Sequence, residues 1–154
     1  MNNDKNPAHP FESFSDFVFG PDTRKIIVLK ENGKEYRALN NDEKKCVALQ
    51  IDGGIINDDT PKCDKGLIVL NNKKFYLVEL KGVDLSTACK QLHATFDRFS
   101  KELKAWKYDY YCRVVLSGVS APNNYPTSYK MLLKRLNNDK RKVVCKTKVL
   151  EERI

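Results

Sequence analysis

The chain has little of what metal-stapled and secreted domains are built from. Of its 154 residues only 2 are histidine and 5 are cysteine. The cysteines, Cys46, Cys63, Cys89, Cys112 and Cys145, form no CxxC pair and are mostly embedded in apolar runs. That spacing excludes a zinc ribbon and suggests no disulfide framework, so the expected compartment is the reducing cytoplasm. His9 lies in a polar lead-in and His93 adjoins an apolar helical stripe, so neither points to a second ligand cluster. No apolar run approaches the roughly 20 residues of a membrane helix. The polar stretch Met1–Pro10 offers no apolar core for a signal peptide, and no membrane partner is expected.

What is present reads as one globular unit. Hydrophobic residues make up 41%, enough in a chain of this length to bury a core unaided. The formal charge is +8, and it is unevenly placed. Residues 1–100 carry 15 Lys+Arg and 15 Asp+Glu, whereas residues 101–154 carry 13 against 5, so the whole excess lies in the last third. Such a face attracts a polyanion and releases its counterions; Lys130, Lys134, Arg135, Lys140, Arg141 and Lys142 are the candidate phosphate contacts, and a solvated lysine surface is the other reading.

Residues 1–23 read as a loosely ordered lead-in in which Phe11, Phe14 and Phe17 could anchor one turn, with a single domain over 24–154. Asn32-Gly33 between two β-rich runs predicts a hairpin. Lys45–Ile56 reads as a strand bent at Gly53-Gly54. Two apolar runs, Gly66–Leu70 and Phe75–Leu80, form a second hairpin. After Gly82 the period turns helical: Leu85, Ala88, Cys89, Leu92, Phe96, Phe99, Leu103 and Trp106 make one stripe, with Asp84 placed to cap it. Tyr110–Leu116 reads as a buried strand, although Tyr108, Tyr110 and Tyr111 could also stack on bases. Ser117–Asn124 is a loop, Pro126–Leu136 a helix and Val143–Leu150 a final strand. The expected fold is α/β, a mixed sheet with a long helix on one face and a shorter one near the other.

The second hairpin brings charge together. If its turn is centred on Asn72-Lys73, Leu70 opposes Phe75 and Asp64 opposes Lys81. Residues two apart on a strand, and residues directly paired, share a face. Asp64, Glu79 and Lys81 then project from one face at one end of an otherwise apolar hairpin. Two carboxylates, completed by water and a backbone carbonyl such as that of Leu80, make a hard oxygen site for Mg²⁺ or Mn²⁺. Such an ion polarises a phosphodiester, and an adjacent lysine can orient or deprotonate the attacking water or stabilise the developing charge. The other reading is a surface charge pair with Asp64 in a turn.

The runs Cys63-Asp64-Lys65-Gly66-Leu67-Ile68-Val69 and Tyr76-Leu77-Val78-Glu79-Leu80-Lys81-Gly82 resemble the D…ExK signature of the PD-(D/E)XK, restriction endonuclease-like nucleases. The resemblance implies metal binding by Asp64 and Glu79 and a catalytic role for Lys81. It adds Gln91, matching a glutamine on the helix after the ExK strand. The tyrosine found four positions later in the RecB-like branch is Thr95 here. A further carboxylate that the family usually draws from an N-terminal helix has no clear counterpart among Glu12, Asp16, Glu43 and Asp52. The implied activity is Mg²⁺-dependent hydrolysis of DNA, by a homodimer or with a targeting partner protein. The alternative is a non-catalytic module of the same fold that binds nucleic acid or assembles with a protein.

Overall fold

The computed structural model describes residues 6–82, 84–118 and 124–154. The Asn-Gly turn forms as the sequence predicts: Asn32 and Gly33 both take positive φ, matching the twist of the strands they join, β2 (Ile26–Glu31) and β3 (Lys34–Leu39). Before them lies β1 (Val18–Asp22), and after them β4 (Cys46–Gln50), β5 (Lys65–Val69) and β6 (Lys74–Glu79). The period then changes to the helix α1 (Leu85–Glu102), whose N-cap Asp84 accepts a hydrogen bond from the Thr87 amide. β7 (Asp109–Leu116), α2 (Thr127–Arg135), β8 (Val143–Thr147) and β9 (Val149–Arg153) complete the chain. The fold is therefore α/β, a mixed six-stranded sheet plus a three-stranded sheet and two helices.

The large sheet has the order β1-β4-β5-β6-β7-β8; its first three pairings, β1-β4, β4-β5 and β5-β6, are antiparallel, and β6-β7-β8 are parallel. Alternation along each strand splits the core into two layers. On one side Val47, Leu49, Ile68, Phe75, Leu77, Cys112 and Val114 meet Leu92, Phe96 and Phe99 of α1 and Tyr129 and Leu132 of α2. On the other, Leu67, Val69, Tyr76, Val78 and Leu80 meet Ile27, Leu29, Tyr36 and Leu150 of the small sheet, ordered β2-β3-β9.

Three expectations are corrected. The shorter helix packs on the same face as the long one, since β6, β7 and β8 are laid down in one direction and right-handed crossovers then put successive helices on one side. The other face is covered by the small sheet. The expected final strand is two strands in different sheets, because Lys148 takes φ +64° and turns the chain from one to the other. The lead-in is partly built in: Phe11 is only 4% exposed against Phe75 and Phe99, and β1 is an edge strand of the large sheet. Most of the expected loop after β7 falls on residues 119–123, outside the described residues. Among the described residues all five cysteines are free thiols, and no helix is long and apolar enough to cross a membrane.

Candidate active site

The hairpin β5–β6 pairs Lys65 with Val78 and Val69 with Lys74, which moves the turn one residue towards the N-terminus of the expected centre. Continuing that register sets Asp64 opposite Glu79 rather than Lys81. A shift of this size preserves the faces, since each strand alternates with a period of two. Asp64 and Glu79 therefore still share a face, the one that α1 covers.

Both are buried, Asp64 at 2% and Glu79 at 1% exposure. Asp64 Oδ2 accepts from the backbone amides of Leu80 and Lys81, each at 2.6 Å, and the Lys81 amide also reaches Glu79 Oε1 at 3.1 Å. In a trans peptide the carbonyl points opposite the amide that follows it. The Leu80 carbonyl, expected as a metal ligand, thus points away from Asp64, and the structure does not bring it into the site. Glu79 Oε2 is buried with no hydrogen-bond partner among the described residues. Burial first, and then the adjacent Asp64 carboxylate, push the Glu79 carboxyl up to about 9, while the Lys81 amide pulls the other way.

The Lys81 ammonium stands at the mouth of this pair, 42% exposed, 3.0 Å from Glu31, 3.5 Å from Asp52 and 3.8 Å from Asp64. Its pKa is raised, chiefly by the hydrogen bond to Glu31. Glu31 was not legible in the sequence; it arrives from the small sheet, one layer away. Asp52 sits at a bridge to Ile56 just after β4.

Helix α1 closes the site. A Cβ at Gly82 would lie 3.1 Å from Ala88 and 3.4 Å from Glu79 Cγ, so that turn of the helix abuts Glu79. One to two turns on, the buried Thr95 hydroxyl accepts from the Cys63 amide and donates to the Gln91 carbonyl, tying the strand that carries Asp64 to the helix. Gln91 lies between these contacts, on the face shared by positions three and four apart. Its side-chain Oε1 is buried and unpartnered among the described residues.

The donor set is all oxygen and includes an orphaned carboxylate oxygen and an orphaned amide oxygen, which suits a hard cation. Among the described residues no three His, Cys, Asp or Glu side chains converge as an ion-binding group. Mg²⁺ keeps several waters and takes one or two carboxylates, so it is the ion that two such residues would suit.

Three of the candidate phosphate contacts, Arg135, Arg141 and Lys142, are not brought to this site. Lys142 pairs with Asp109 at the start of β7, Arg135 with Asp97 at 2.7 Å, and Arg141 with Asp139 at 2.9 Å. The parallel strands β6 and β7 carry Glu79 at their other end, so Lys142 lies about 17 Å away along the sheet, at ~3.3 Å per residue. Lys130, Lys134 and Lys140 are exposed and make no ion pair among the described residues. Tyr110 is buried and stacks on Phe75 at 5.4 Å, which removes it as a base-stacking residue. No family model matches the chain, and no curated protein or solved structure matches it.

Proposed function

We propose that the chain is a divalent-metal-dependent nuclease of the restriction endonuclease-like, PD-(D/E)XK kind, acting on phosphodiester bonds in DNA. The observation that carries the reading is the meeting of Asp64, Glu79 and Lys81 at the carboxyl end of β6, with one buried Glu79 oxygen left without a partner among the described residues. Clefts at the carboxyl ends of parallel strands are where α/β sheets bind ligands. Asp64 and Glu79 would hold Mg²⁺ or Mn²⁺, with Gln91 as a neighbouring oxygen donor. Once bound, the ion would polarise the phosphodiester and favour deprotonation of the attacking water. Lys81, kept charged by its carboxylate neighbours, stabilises negative charge that develops on the phosphorus oxygens; it does not abstract a proton. The two backbone amides on Asp64 fix its carboxylate orientation before substrate arrives.

Nicking of supercoiled plasmid with and without Mg²⁺ tests this. Lys81→Ala should lower the rate by about 100-fold or more, with circular dichroism unchanged. Undiminished cleavage by the folded variant would remove Lys81 from the chemistry. The second reading, a non-catalytic module of the same fold, draws on the distance of the basic residues from the carboxylates; DNA binding without metal-dependent nicking would favour it.

A further inference from the structure

Lys81 has more negative neighbours than its charge requires. Glu31 and Asp52 add two carboxylates to the Asp64–Glu79 pair, and the ammonium sits closer to both of them than to Asp64. Glu31 is the nearest, and it comes from outside the hairpin that carries the other groups. It ends β2, immediately before the Asn32-Gly33 turn, in the sheet that covers the opposite face. Its cross-strand neighbour on β3 is Lys34, yet the ammonium in ion-pair range is that of Lys81. The Glu31 side chain is only 25% exposed, and its second oxygen is buried without a partner among the described residues, so the carboxylate is held against the protein rather than swinging in solvent.

A lysine two residues from Glu79 has an obvious competing position. With nothing else to hold it, its ammonium would settle on the buried Asp64–Glu79 pair, where opposite charges attract most strongly because water is excluded. A cation there would fill the place of a divalent ion. We infer that Glu31, assisted by Asp52, is a positioning residue that holds the Lys81 ammonium off the Asp64–Glu79 pair and so keeps that pair open for a divalent cation. This rests on the proposed site, and it assigns the small sheet a part in it: the β2–β3 hairpin delivers the carboxylate that balances Lys81.

The arrangement predicts coupling between Glu31 and Lys81 in metal affinity, read by Mn²⁺ titration with calorimetry or electron paramagnetic resonance, with no substrate present. Glu31→Gln, which keeps shape and removes charge, should weaken Mn²⁺ binding by about tenfold. Adding Lys81→Met to Glu31→Gln should recover most of that loss, because no ammonium is left to occupy the pair. Lys81→Met alone should change affinity by less than about threefold, and Glu31→Asp, which retains the charge, should stay close to the parent. Asp52→Asn should act in the same direction as Glu31→Gln and less strongly. If Glu31→Gln weakens Mn²⁺ equally with Lys81 present or replaced, Glu31 contributes only bulk charge or structure and the inference fails while the nuclease reading stands. Unchanged affinity in Glu31→Gln overturns it equally. A parent protein that binds no Mn²⁺ would overturn the inference and remove the ion from the proposed function.

Discussion

The two ends of the six-stranded sheet differ in sign. At the carboxyl end of β6, the carboxylates of Glu31, Asp52 and Asp64 surround the ammonium of Lys81, and Glu79 meets the Lys81 backbone amide. At the opposite end a cleft of about 280 Å³ is lined by Lys104, Lys107, Arg135 and Lys142, with Asp109 among them. Part of that second cluster has a local cause, since Lys101 and Lys134 with Arg135 fall in the last turns of α1 and α2, where cations complement the helix dipole. Charge counted along the chain does not say which end of a sheet it will reach. A basic C-terminal third and an acidic hairpin looked like two halves of one site; the parallel strands hold Lys142 and its neighbours at the end away from Glu79, while Lys146 of β8 comes nearly level with it.

Substitutions sharpen that contrast, the largest effect being the loss of cleavage in Lys81→Ala described above. Next comes the acidic pair itself, whose members are not equivalent. Asp64 accepts two backbone amides, and replacing it with Asn weakens both acceptances at a buried position; the metal-free protein should lose about 1–3 kcal/mol. Glu79 carries the burden of burial instead. Its pKa in the fold, about 9, lies above its ordinary value of 4.5, so its favourable contribution is complete below the ordinary value and is lost as pH rises towards the folded one. Melts in EDTA should show the parent losing stability from pH 5 to pH 9. Glu79→Gln should flatten that dependence and melt above the parent at pH 8, by about 1 kcal/mol. Equal pH dependence in parent and variant would show that Glu79 is ionised and compensated.

A smaller effect belongs to the basic end. Replacing Lys140, Arg141 and Lys142 with Ala should reduce the salt slope of DNA affinity by about 1 rather than 3, because Arg141 and Lys142 already hold carboxylates and each free phosphate contact contributes ~0.9. The maximal cleavage rate should not change. A fall in that rate equal to the fall in affinity would mean that the two ends act as one site. The smallest expected signal is chemical: protein unfolded under non-reducing conditions should titrate five thiols, as its five free cysteines require.

Much of the fold was readable because the signals were local. Asn32-Gly33, the Asp84 cap and the apolar stripe of α1 each act over a few residues; the turn and the cap formed as the residues predict, and the stripe did so from Leu85 to Phe99, the helix ending at Glu102 before Leu103 and Trp106. What failed were relations between distant segments. The face chosen by α2 follows from the handedness of two crossovers, which no stretch of sequence encodes by itself. The end of the last strand of the large sheet depended on one non-glycine residue, Lys148, taking a left-handed conformation. At the site, Asp64 and Glu79 survived an error in the turn because strand alternation tolerates it. Glu31 could not be found, because its link to Lys81 joins two layers that meet only when the sheets pack. Thr95 was visible as a polar position inside an apolar stripe, yet its hydrogen bond to Cys63 is a tertiary fact.

Lys148 has one more consequence, and it concerns time. Its amide donates to Leu116 of the large sheet, and its carbonyl accepts from the Glu35 amide of the small one. β9 then lies parallel to β3, and the Tyr36 hydroxyl donates to Glu152 from 116 positions away. Closing a loop of that length costs on the order of 4 kcal/mol in chain entropy before any contact rewards it. Local hairpins and α1 form in microseconds, whereas this pairing must wait for the two distant segments to find one another. The β2–β3 hairpin therefore acquires its third strand late. As a nascent chain leaves the ribosome, the acidic pair of the second hairpin is synthesised long before the strand that completes the small sheet.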